Sequence, residues 1–219
     1  MPLNDTAKNL AFSAGIANVT TGVKFVGVGV TGDPGTATTL TGTEATGGSP
    51  AYARVAVAWS APAAGADANS GALTIDVPAG SYSDLLLFNA GSGNSVGNYL
   101  GYAPINGSVK GFANVDTTDV TNDTISSAAH GLTTDDRVRL YNVFAESLPG
   151  TLVEGTLYFV LASGLTTDVF KVATTSGGTA INISSVGELF WQKVIPEVYA
   201  SQGQVTVAVG ALVLDGTAF

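Results

Sequence analysis

The chain has a single imidazole group, which limits the acid–base and metal chemistry that it could perform. His130 is the only histidine, and there is no cysteine. Disulfides, thiol nucleophiles and iron–sulfur centres are therefore excluded, and one histidine is too few for a zinc site. The sequence SSAAHGLTTDD sets His130 directly before a glycine. We expect it to have a structural or surface role, in a turn that needs a polar residue with an unusual backbone conformation.

A group of aspartates offers a second candidate chemistry. Acidic loops supply the oxygen ligands that calcium prefers. Here the spacing of the acids fits no EF-hand loop, and threonine and serine fill many of the positions between them. That pattern is typical of solvated, turn-forming carboxylates, and it leaves a calcium site as the alternative. The aspartates are Asp116, Asp119, Asp123, Asp135 and Asp136.

No segment carries a motif that organises catalysis. The chain has no GxSxG nucleophile turn, no HExxH metal motif and no phosphate-binding loop. The glycine-rich stretch at 27–32 is not followed by a predicted helix, which dinucleotide binding requires. A glycosidase needs two positioned carboxylates, and no glutamate differs from an ordinary loop acid: Glu44, Glu146, Glu154, Glu188 and Glu197. We therefore predict a protein that is not an enzyme and has no catalytic, metal-binding or cofactor-binding residues.

Aromatic side chains could form a platform for sugars, or they could fill a core or a subunit interface. Trp59 and Phe88 stand within apolar patterns, which favours the core for both. Tyr99 and Tyr102 border a glycine-rich segment, so both interpretations stay open for them. The full set of candidates is Tyr52, Trp59, Tyr82, Phe88, Tyr99 and Tyr102.

The composition limits the classes of partner. Only 11% of the 219 residues are charged, against roughly 25% in an ordinary soluble domain. The net charge is −9 with eight lysines and arginines in total, which disfavours binding to nucleic acid. The start of the chain lacks the pattern of a signal peptide, and no apolar run is long enough to cross a membrane. Small and β-branched residues instead favour an assembling surface.

The periodicity predicts a chain that is almost entirely β. The one helix candidate is 4–18, where apolar residues recur at helical spacing. Strands with alternating faces are predicted at 53–60 and 72–78. The run SDLLLFNA at 83–90 is continuously apolar, which is typical of a strand at the centre of a sheet.

A change in the pattern of strands and turn residues at 115 predicts an inserted domain. Within 115–194 the strands are expected at 137–144, 156–162, 168–173 and 188–194, and the first pattern returns afterwards. We predict an all-β fold: a β-sandwich, jelly-roll or immunoglobulin-like, with a short N-terminal helix and an inserted small β domain. The helical arm covers 1–19, the outer sandwich 20–114 plus 195–219, and the insert 115–194. Its predicted sandwich core contains Val55, Val57, Trp59, Leu73, Ile75, Leu86 and Phe88.

Several of these segments carry a resemblance to a known family. The stretches TGGSPAYARVAVAWSAP, LTIDVPAG, YLGYAPI and PEVYASQGQVTV resemble small virion proteins of actinobacterial phages and prophages, labelled tail fibre, minor tail or minor capsid protein. The residues that carry most of it are Gly48, Pro50, Tyr52, Arg54, Trp59, Gln202 and Gly203. The insert, with AAHGLTTDDRVRLYNV and LVEGTLYFVLASGLTTDVFKV, is similar to a recurring phage module that implies an interchangeable surface-display domain.

The resemblance implies a structural protein on the surface of a tailed-bacteriophage virion, with no active site to carry over. A decoration or minor capsid protein on the head is the favoured expectation, because the chain is short and has no shaft-forming repeat. The alternatives are a tail-fibre or minor tail adhesin that binds host-surface carbohydrate through the insert, and an enzyme acting on cell-wall glycan. Expected partners are the major capsid protein or tail proteins and further copies of the chain, in a homo-oligomer for which we predict a trimer. No nucleic-acid or membrane partner is expected.

Overall fold

A computed structural model describes residues 22–32, 34, 39–60, 66–106, 109–143 and 147–215. The regular secondary structure of this part of the chain is nearly all antiparallel β-sheet, which confirms the predicted all-β, sandwich-like fold class. It forms two compact units. Unit 1 contains the described residues up to Ile105 and from Glu197 onward, and unit 2 runs from Asn106 to Pro196. The predicted helix at 4–18 and its arm 1–19 lie outside the described residues.

Sixteen strands and one helix are formed by the described residues. The first strands belong to unit 1: β1 (Lys24–Val30), β2 (Val55–Val57), β3 (Ala66–Ala68), β4 (Leu73–Val77), β5 (Gly80–Phe88) and β6 (Tyr99–Pro104). Unit 2 contains β7 (Lys110–Val115), α1 (Thr117–Asn122), β8 (Ile125–Ser126), β9 (Arg137–Asn142), β10 (Leu157–Val160), β11 (Val169–Phe170), β12 (Val172–Ala173) and β13 (Gly187–Val194). Unit 1 then resumes with β14 (Glu197–Tyr199), β15 (Gly203–Val207) and β16 (Val213–Asp215).

Unit 1 packs a five-stranded sheet against a two-stranded ribbon. The sheet has the order β14-β5-β1-β2, with β6 also paired to β5, and the ribbons are β4–β15 and β3–β16. Residues two apart on a strand point to the same face. Val26 and Val28 of the sheet therefore share one buried cluster with Ile75 and Val205 of the ribbon, and all four are fully buried.

Strand β5 is buried on both faces, as its continuous apolar run predicts. Leu85 and Leu87 point into the main core, whereas Leu86 and Phe88 point to the opposite face and pack with Leu40 and other residues. The prediction of one core that includes Leu86 and Phe88 is therefore wrong, because alternation along β5 sends them to a second cluster. The other predicted core residues lie in the main cluster or pack against it: Val55, Val57, Trp59, Leu73 and Ile75.

The chain leaves unit 1 and returns to it at neighbouring residues of β5. Strands β6 and β14 lie end to end along the side of β5 that is opposite to β1. Ile105 donates its backbone N–H to the Ser83 carbonyl at 2.9 Å, and Glu197 is paired with Tyr82. Adjoining exit and return points let unit 1 form one continuous sheet from two separate parts of the sequence.

Unit 2 begins earlier than the predicted boundary at 115. Strand β7 pairs with β13 from Lys110 to Val115, so this strand belongs to unit 2 and not to the outer sandwich. The two ends of unit 2 are also joined, because the side-chain amide of Asn106 donates to the Ile195 carbonyl at 3.0 Å. The change in sequence pattern begins only at Val115, the last residue of β7. The sequence alone therefore misplaces this boundary.

The sheet of unit 2 closes on itself. Its seven antiparallel strands have the order β11-β8-β7-β13-β9-β10-β12. The outermost strands, β11 and β12, are separated in the sequence by Lys171 alone. A single stretch of chain thus pairs first with β8 and then with β10, which makes the sheet a small barrel without the open edges of a flat sheet. Its interior is filled by residues such as Val138, Leu140, Leu189 and Trp191.

Candidate functional site

Two of the residues that carry the resemblance, Tyr52 and Arg54, meet at one carboxylate of unit 1, that of Glu44. Its Oε1 accepts hydrogen bonds from the Tyr52 hydroxyl and from Arg54 Nε, each at 2.7 Å. Its Oε2 accepts from Arg54 Nη2, also at 2.7 Å, which completes a bidentate ion pair. Tyr52 and Arg54 lie two residues apart before β2, so their side chains reach the same side of the chain. We name Glu44, Tyr52 and Arg54 the Glu44 cluster.

Arg54 also holds the segment that follows β5. Its Nη1 donates to the Ala90 carbonyl and its Nη2 to the Gly93 carbonyl, both at 2.8 Å. The guanidinium carbon lies 3.4 Å from the centre of the Phe88 ring, in cation–π contact. The Arg54 side chain is only 4% exposed. A planar, permanently charged fork with these contacts is a structural clamp that lysine cannot reproduce.

The Tyr52 hydroxyl is held on both sides. It donates to Glu44 and accepts from the backbone N–H of Val28 at 3.0 Å. Burial, then the hydrogen bond to Glu44, raise the pKa of Tyr52 well above its usual range, so it stays protonated. Gly27 makes the space, because a Cβ there would lie 2.5 Å from the Tyr52 hydroxyl and 2.7 Å from Glu44 Oε1.

Gln202 connects the C-terminal residues that carry the resemblance to the segment around Pro50. Its side-chain oxygen accepts from the backbone N–H of Ser49 at 3.1 Å, and its amide donates to the Pro50 carbonyl at 3.3 Å. Gly48 has a φ of 91°, and a Cβ there would lie 2.6 Å from the Gln202 oxygen. Gly48 therefore serves both an unusual backbone conformation and a close approach.

Gly203 has a similar packing role. A Cβ on Gly203 would collide with the ring of Tyr199. The Tyr199 hydroxyl donates to Glu197 Oε2 at 2.6 Å and lies 2.8 Å from the Gln204 carbonyl oxygen. Burial, then the hydrogen bond and the charge of Glu197, raise the pKa of Tyr199 to about 12.

The polar groups of the Glu44 cluster are used in contacts that stabilise the fold of unit 1. Both oxygens of Glu44 and the Nε, Nη1 and Nη2 groups of Arg54 have partners inside unit 1. Catalysis requires a positioned group with a free lone pair or proton facing a substrate, and the cluster offers no such pair. Sequence reasoning treated Glu44 as an ordinary loop acid and missed this cluster, although the spacing of Tyr52 and Arg54 was the available signal.

His130 lies in the interior of unit 2, only 4% exposed. Its Nδ1 accepts from the backbone N–H of Leu132 at 2.9 Å, and its ring meets the Phe170 ring edge-on at 5.2 Å between centres. The left-handed backbone falls on its neighbours, Ala129 with φ 51° and Gly131 with φ 64°. The expectation that His130 itself takes the unusual conformation is therefore wrong, because the flanking residues make the turn.

Three of the aspartates shape the ends of α1. Asp116 caps the start, accepting from the backbone N–H groups of Thr118 at 2.7 Å and Asp119 at 2.9 Å. Asp119 accepts in return from the backbone N–H of Asp116 at 3.2 Å, which completes a capping box. Asp123 ends the helix with φ 57° and accepts from Ile183 N–H at 2.9 Å.

The remaining two aspartates stabilise a turn before β9. Asp135, with φ 66°, accepts from the Ser176 hydroxyl at 2.6 Å. Asp136 accepts from the Thr133 backbone N–H and from Lys193 Nζ, each at 2.7 Å. Among the residues that the structure describes, no three acidic or histidine side chains are placed to hold a metal ion.

The candidate glutamates are dispersed. Glu154 accepts from the backbone N–H of Asn142 at 3.3 Å and from its side-chain amide at 3.1 Å. Glu188 is exposed on β13, and Glu197 is bound to Tyr199. Glu146 lies outside the described residues.

The candidate aromatic residues belong to the cores of unit 1. Tyr82, Phe88 and Tyr99 are buried. Tyr52, Trp59 and Tyr102 are partly buried and pack against the same clusters. The exposed aromatic pair is instead on the outside of the barrel, where Phe112 of β7 lies directly across from Phe190 of β13. The sequence did not single out this pair, because alternation in β13 does not reveal whether Phe190 or Trp191 faces inward.

Unit 2 also has an open polar cavity of about 500 Å³ beside α1. Most of its lining groups are polar: two carboxylates, three hydroxyls, an amide and an ammonium group. The lining residues are Asp116, Thr118, Asp119, Asn122, Thr124, Ser126, Gly164, Val169 and Lys171. We name this space the α1 cavity.

Comparisons of the chain with protein-family models, with curated proteins and with solved structures find no match. No helix formed by the described residues is long and apolar enough to cross a membrane.

Proposed function

We propose that this chain is a non-enzymatic structural protein of a tailed-bacteriophage virion, placed on the outer surface of the capsid as a decoration or minor capsid protein. One observation carries the proposal. The residues that bear the resemblance to phage virion proteins converge in unit 1, although unit 2 separates them in the sequence. Each of Gly48, Tyr52, Arg54, Gln202 and Gly203 has a packing or hydrogen-bonding role there.

A motif of this kind specifies a fold and not a reaction. In an enzyme, distinctive polar residues present free functional atoms to a cleft. Here Arg54 and Glu44 neutralise each other, and the Tyr52 hydroxyl bridges Glu44 and the backbone of β1. These residues therefore serve to build the sandwich of unit 1, which agrees with the structural role that the resemblance implies.

Unit 2 fits the role of a displayed module. Its described strands form a closed barrel, so among them no long unpaired strand is exposed that would pair with neighbouring copies. Its two ends are joined through Asn106 and Ile195, and unit 1 receives them at adjacent residues of β5. An insertion with adjoining ends disturbs its host little.

Charge and surface composition support an outer, assembled location. A net charge of −9 disfavours contact with packaged nucleic acid. Unit 1 exposes several valines, with Val198 74%, Val209 63% and Val213 48% exposed. Together with the low content of charged residues, 11%, these exposed side chains motivate a homo-oligomer, and we propose a trimer as the expected state.

The test is to locate the chain in purified particles of the phage or prophage that encodes it. A gold-labelled antibody against unit 2 should decorate the head, and mass spectrometry should give a copy number that scales with the major capsid protein. Label confined to the tail tip, with a few copies per particle, would replace the head location by the tail-adhesin alternative. Absence of the chain from washed particles would contradict a virion role altogether.

The oligomeric state is tested separately. Light scattering on the purified chain at high concentration should give the mass of a trimer. A monomer under these conditions, together with isolated copies on the particle, would contradict the proposed assembly.

A further inference from the structure

The walls of the α1 cavity come from two segments that the barrel holds together. One wall is the stretch from Asp116 to Ser126, and the other includes Gly164, Val169 and Lys171. Val169 is paired with Ser126 in the sheet, so the two walls are fixed by backbone hydrogen bonds. A cavity formed in this way is present before any ligand arrives, which lowers the cost of ordering on binding.

The floor of the cavity is a fixed polar layer. Asp119 is only 5% exposed, and its Oδ1 accepts from the hydroxyls of Thr124 at 2.6 Å and Ser126 at 3.0 Å. Its Oδ2 accepts from the backbone N–H of Asp116 at 3.2 Å. These bonds lock the rotamers of the floor, so the groups above it are presented from a rigid base.

Other residues that line the cavity have hydrogen-bonding groups without a partner among the described residues. Within the described part of the chain, Lys171 Nζ has no hydrogen-bond or ion-pair partner, so it offers donors to the cavity. Asp116 uses Oδ1 for the cap of α1 and keeps Oδ2 as an acceptor. Asn122 donates its amide to the Thr118 carbonyl at 2.9 Å and keeps its oxygen as an acceptor.

The mixture of these groups selects one class of ligand. Phosphate and other anions would meet the carboxylates of Asp116 and Asp119, and a metal cation would meet the ammonium of Lys171. An apolar ligand would leave unpaired the polar groups that seven of the nine lining residues carry. A hydroxyl group both donates and accepts, so a ligand with several hydroxyls in a ring can satisfy Lys171 and the two acceptors together.

We propose that the α1 cavity of unit 2 is a binding site for a neutral sugar. The volume of about 500 Å³ falls within the range of small-molecule sites, roughly 300–1,000 Å³, and suits one or two sugar rings. Lys171 is the principal donor, and Asp116 and Asn122 are the acceptors. The site goes beyond the structural role proposed above, and it is the same whether the chain lies on the head or the tail.

The test uses nuclear magnetic resonance on the full chain, labelled with nitrogen-15. Glucose, galactose, mannose, rhamnose and N-acetylglucosamine are titrated separately at millimolar concentrations. At least one should shift the backbone amide signals of Asn122, Ser126 and Gly164 saturably, and leave those of unit 1 unchanged. Calcium chloride and inorganic phosphate are titrated in the same way and should not shift these signals.

Two variants and one control assign the shift to the cavity. Lys171→Gln removes the charged donor and should weaken binding about tenfold, the loss of one charge-assisted hydrogen bond. Thr118→Trp fills the cavity from an exposed position of α1 and should abolish binding. Lys110→Gln removes an exposed charge on β7 outside the cavity and should leave binding unchanged.

Three results would overturn the proposal. The first is that none of the five sugars gives a saturable shift at these amides. The second is that calcium or phosphate shifts them instead. The third is that binding persists unchanged in both Lys171→Gln and Thr118→Trp, with spectra that show each variant to be folded.

Discussion

The side-chain oxygen of Gln202 accepts a hydrogen bond from the backbone N–H of Ser49 at 3.1 Å, across 153 positions of sequence. All of unit 2 lies between these two residues in the chain. The bond ties the turn that leads to the Glu44 cluster to the start of β15. It therefore reports whether the late part of unit 1 has joined the early part.

Gln202→Ala should loosen this connection. The variant loses the bonds to Ser49 and Pro50, and we expect the free energy of unfolding of unit 1 to fall by about 1 kcal/mol. The Ser49 amide should also exchange its hydrogen faster. The control is Gln204→Ala, which removes a bond to Asp76 between strands already paired, and should cost within about 0.5 kcal/mol. Equal exchange of the Ser49 amide in both variants would contradict the assignment.

Gly27→Ala should disrupt the hydrogen bonds of the Glu44 cluster. The new methyl group would overlap the Tyr52 hydroxyl and Glu44 Oε1, so we expect a loss of about 2 kcal/mol in urea unfolding. Gly71→Ala is the matched control, because nothing lies within 4 Å of its added Cβ, and its effect should stay within about 0.5 kcal/mol. Similar midpoints for the two variants would show that the space at Gly27 is not limiting.

Arg54→Met should leave the partly buried carboxylate of Glu44 without its ion pair. The buried Arg54 side chain also loses its hydrogen bonds to the Ala90 and Gly93 carbonyls, and we expect a total loss of about 3 kcal/mol in urea unfolding. The comparison is Lys193→Met, which breaks the pair with Asp136, where the side chains are 23% and 15% exposed. That variant should cost about 1 kcal/mol or less. A smaller loss for Arg54→Met than for Lys193→Met would mean that Arg54 is not a clamp.

Alkaline pH should destabilise unit 1. The pKa of Tyr199 is raised from 10.0 to about 12, and that of Tyr52 is raised further, by burial and by their glutamate partners. The folded state thus favours the neutral phenols. Their contribution to stability is complete below the unfolded pKa, near 10, and is lost as the pH rises through the folded values. Urea midpoints should fall from about pH 10 upward, and Tyr199→Phe should make that fall shallower. An unchanged slope in Tyr199→Phe would contradict the assignment.

Unit 1 should survive the removal of unit 2. Replacing residues 106–196 by a short glycine–serine linker joins Ile105 to Glu197, which both adjoin the same part of β5. A short loop costs little closure entropy, so the variant should keep one cooperative thermal transition by calorimetry. Deleting β14 as well should weaken that transition, since β5 then loses a partner. A linker variant with no transition would show that unit 2 is needed for the core of unit 1.

Much of the sheet structure of unit 1 follows from local pattern. The alternation in LTIDV predicts both the strand and its buried face, and β4 buries Leu73, Ile75 and Val77 as expected. The run SDLLLF predicts a central strand, but a run without alternation does not indicate which residues share a face. The separation of Leu86 from Leu85 into different clusters therefore required the structure.

The site was harder to predict because its partners are set by tertiary contacts. Glu44 has no distinctive neighbours in the sequence, and only folding brings Arg54 and the turn after β5 to it. The α1 cavity depends on the pairing of β8 with β11, which are themselves only two residues long. Strands this short carry almost no periodicity, so neither the closure of the barrel nor the position of Lys171 could be predicted from the sequence.

The split of unit 1 around unit 2 has a consequence for the order of synthesis. The ribosome completes the barrel of unit 2 before it makes β14, β15 and β16. Until then β5 lacks one partner and β4 has no strand beside it, so the nascent sandwich keeps apolar surface and unpaired backbone groups exposed. A product that stops after the barrel contains a complete unit 2 and an incomplete unit 1. In the homo-oligomer that we propose, only a chain translated through β16 could offer its neighbours a complete unit 1, so truncated products would be excluded from the assembly.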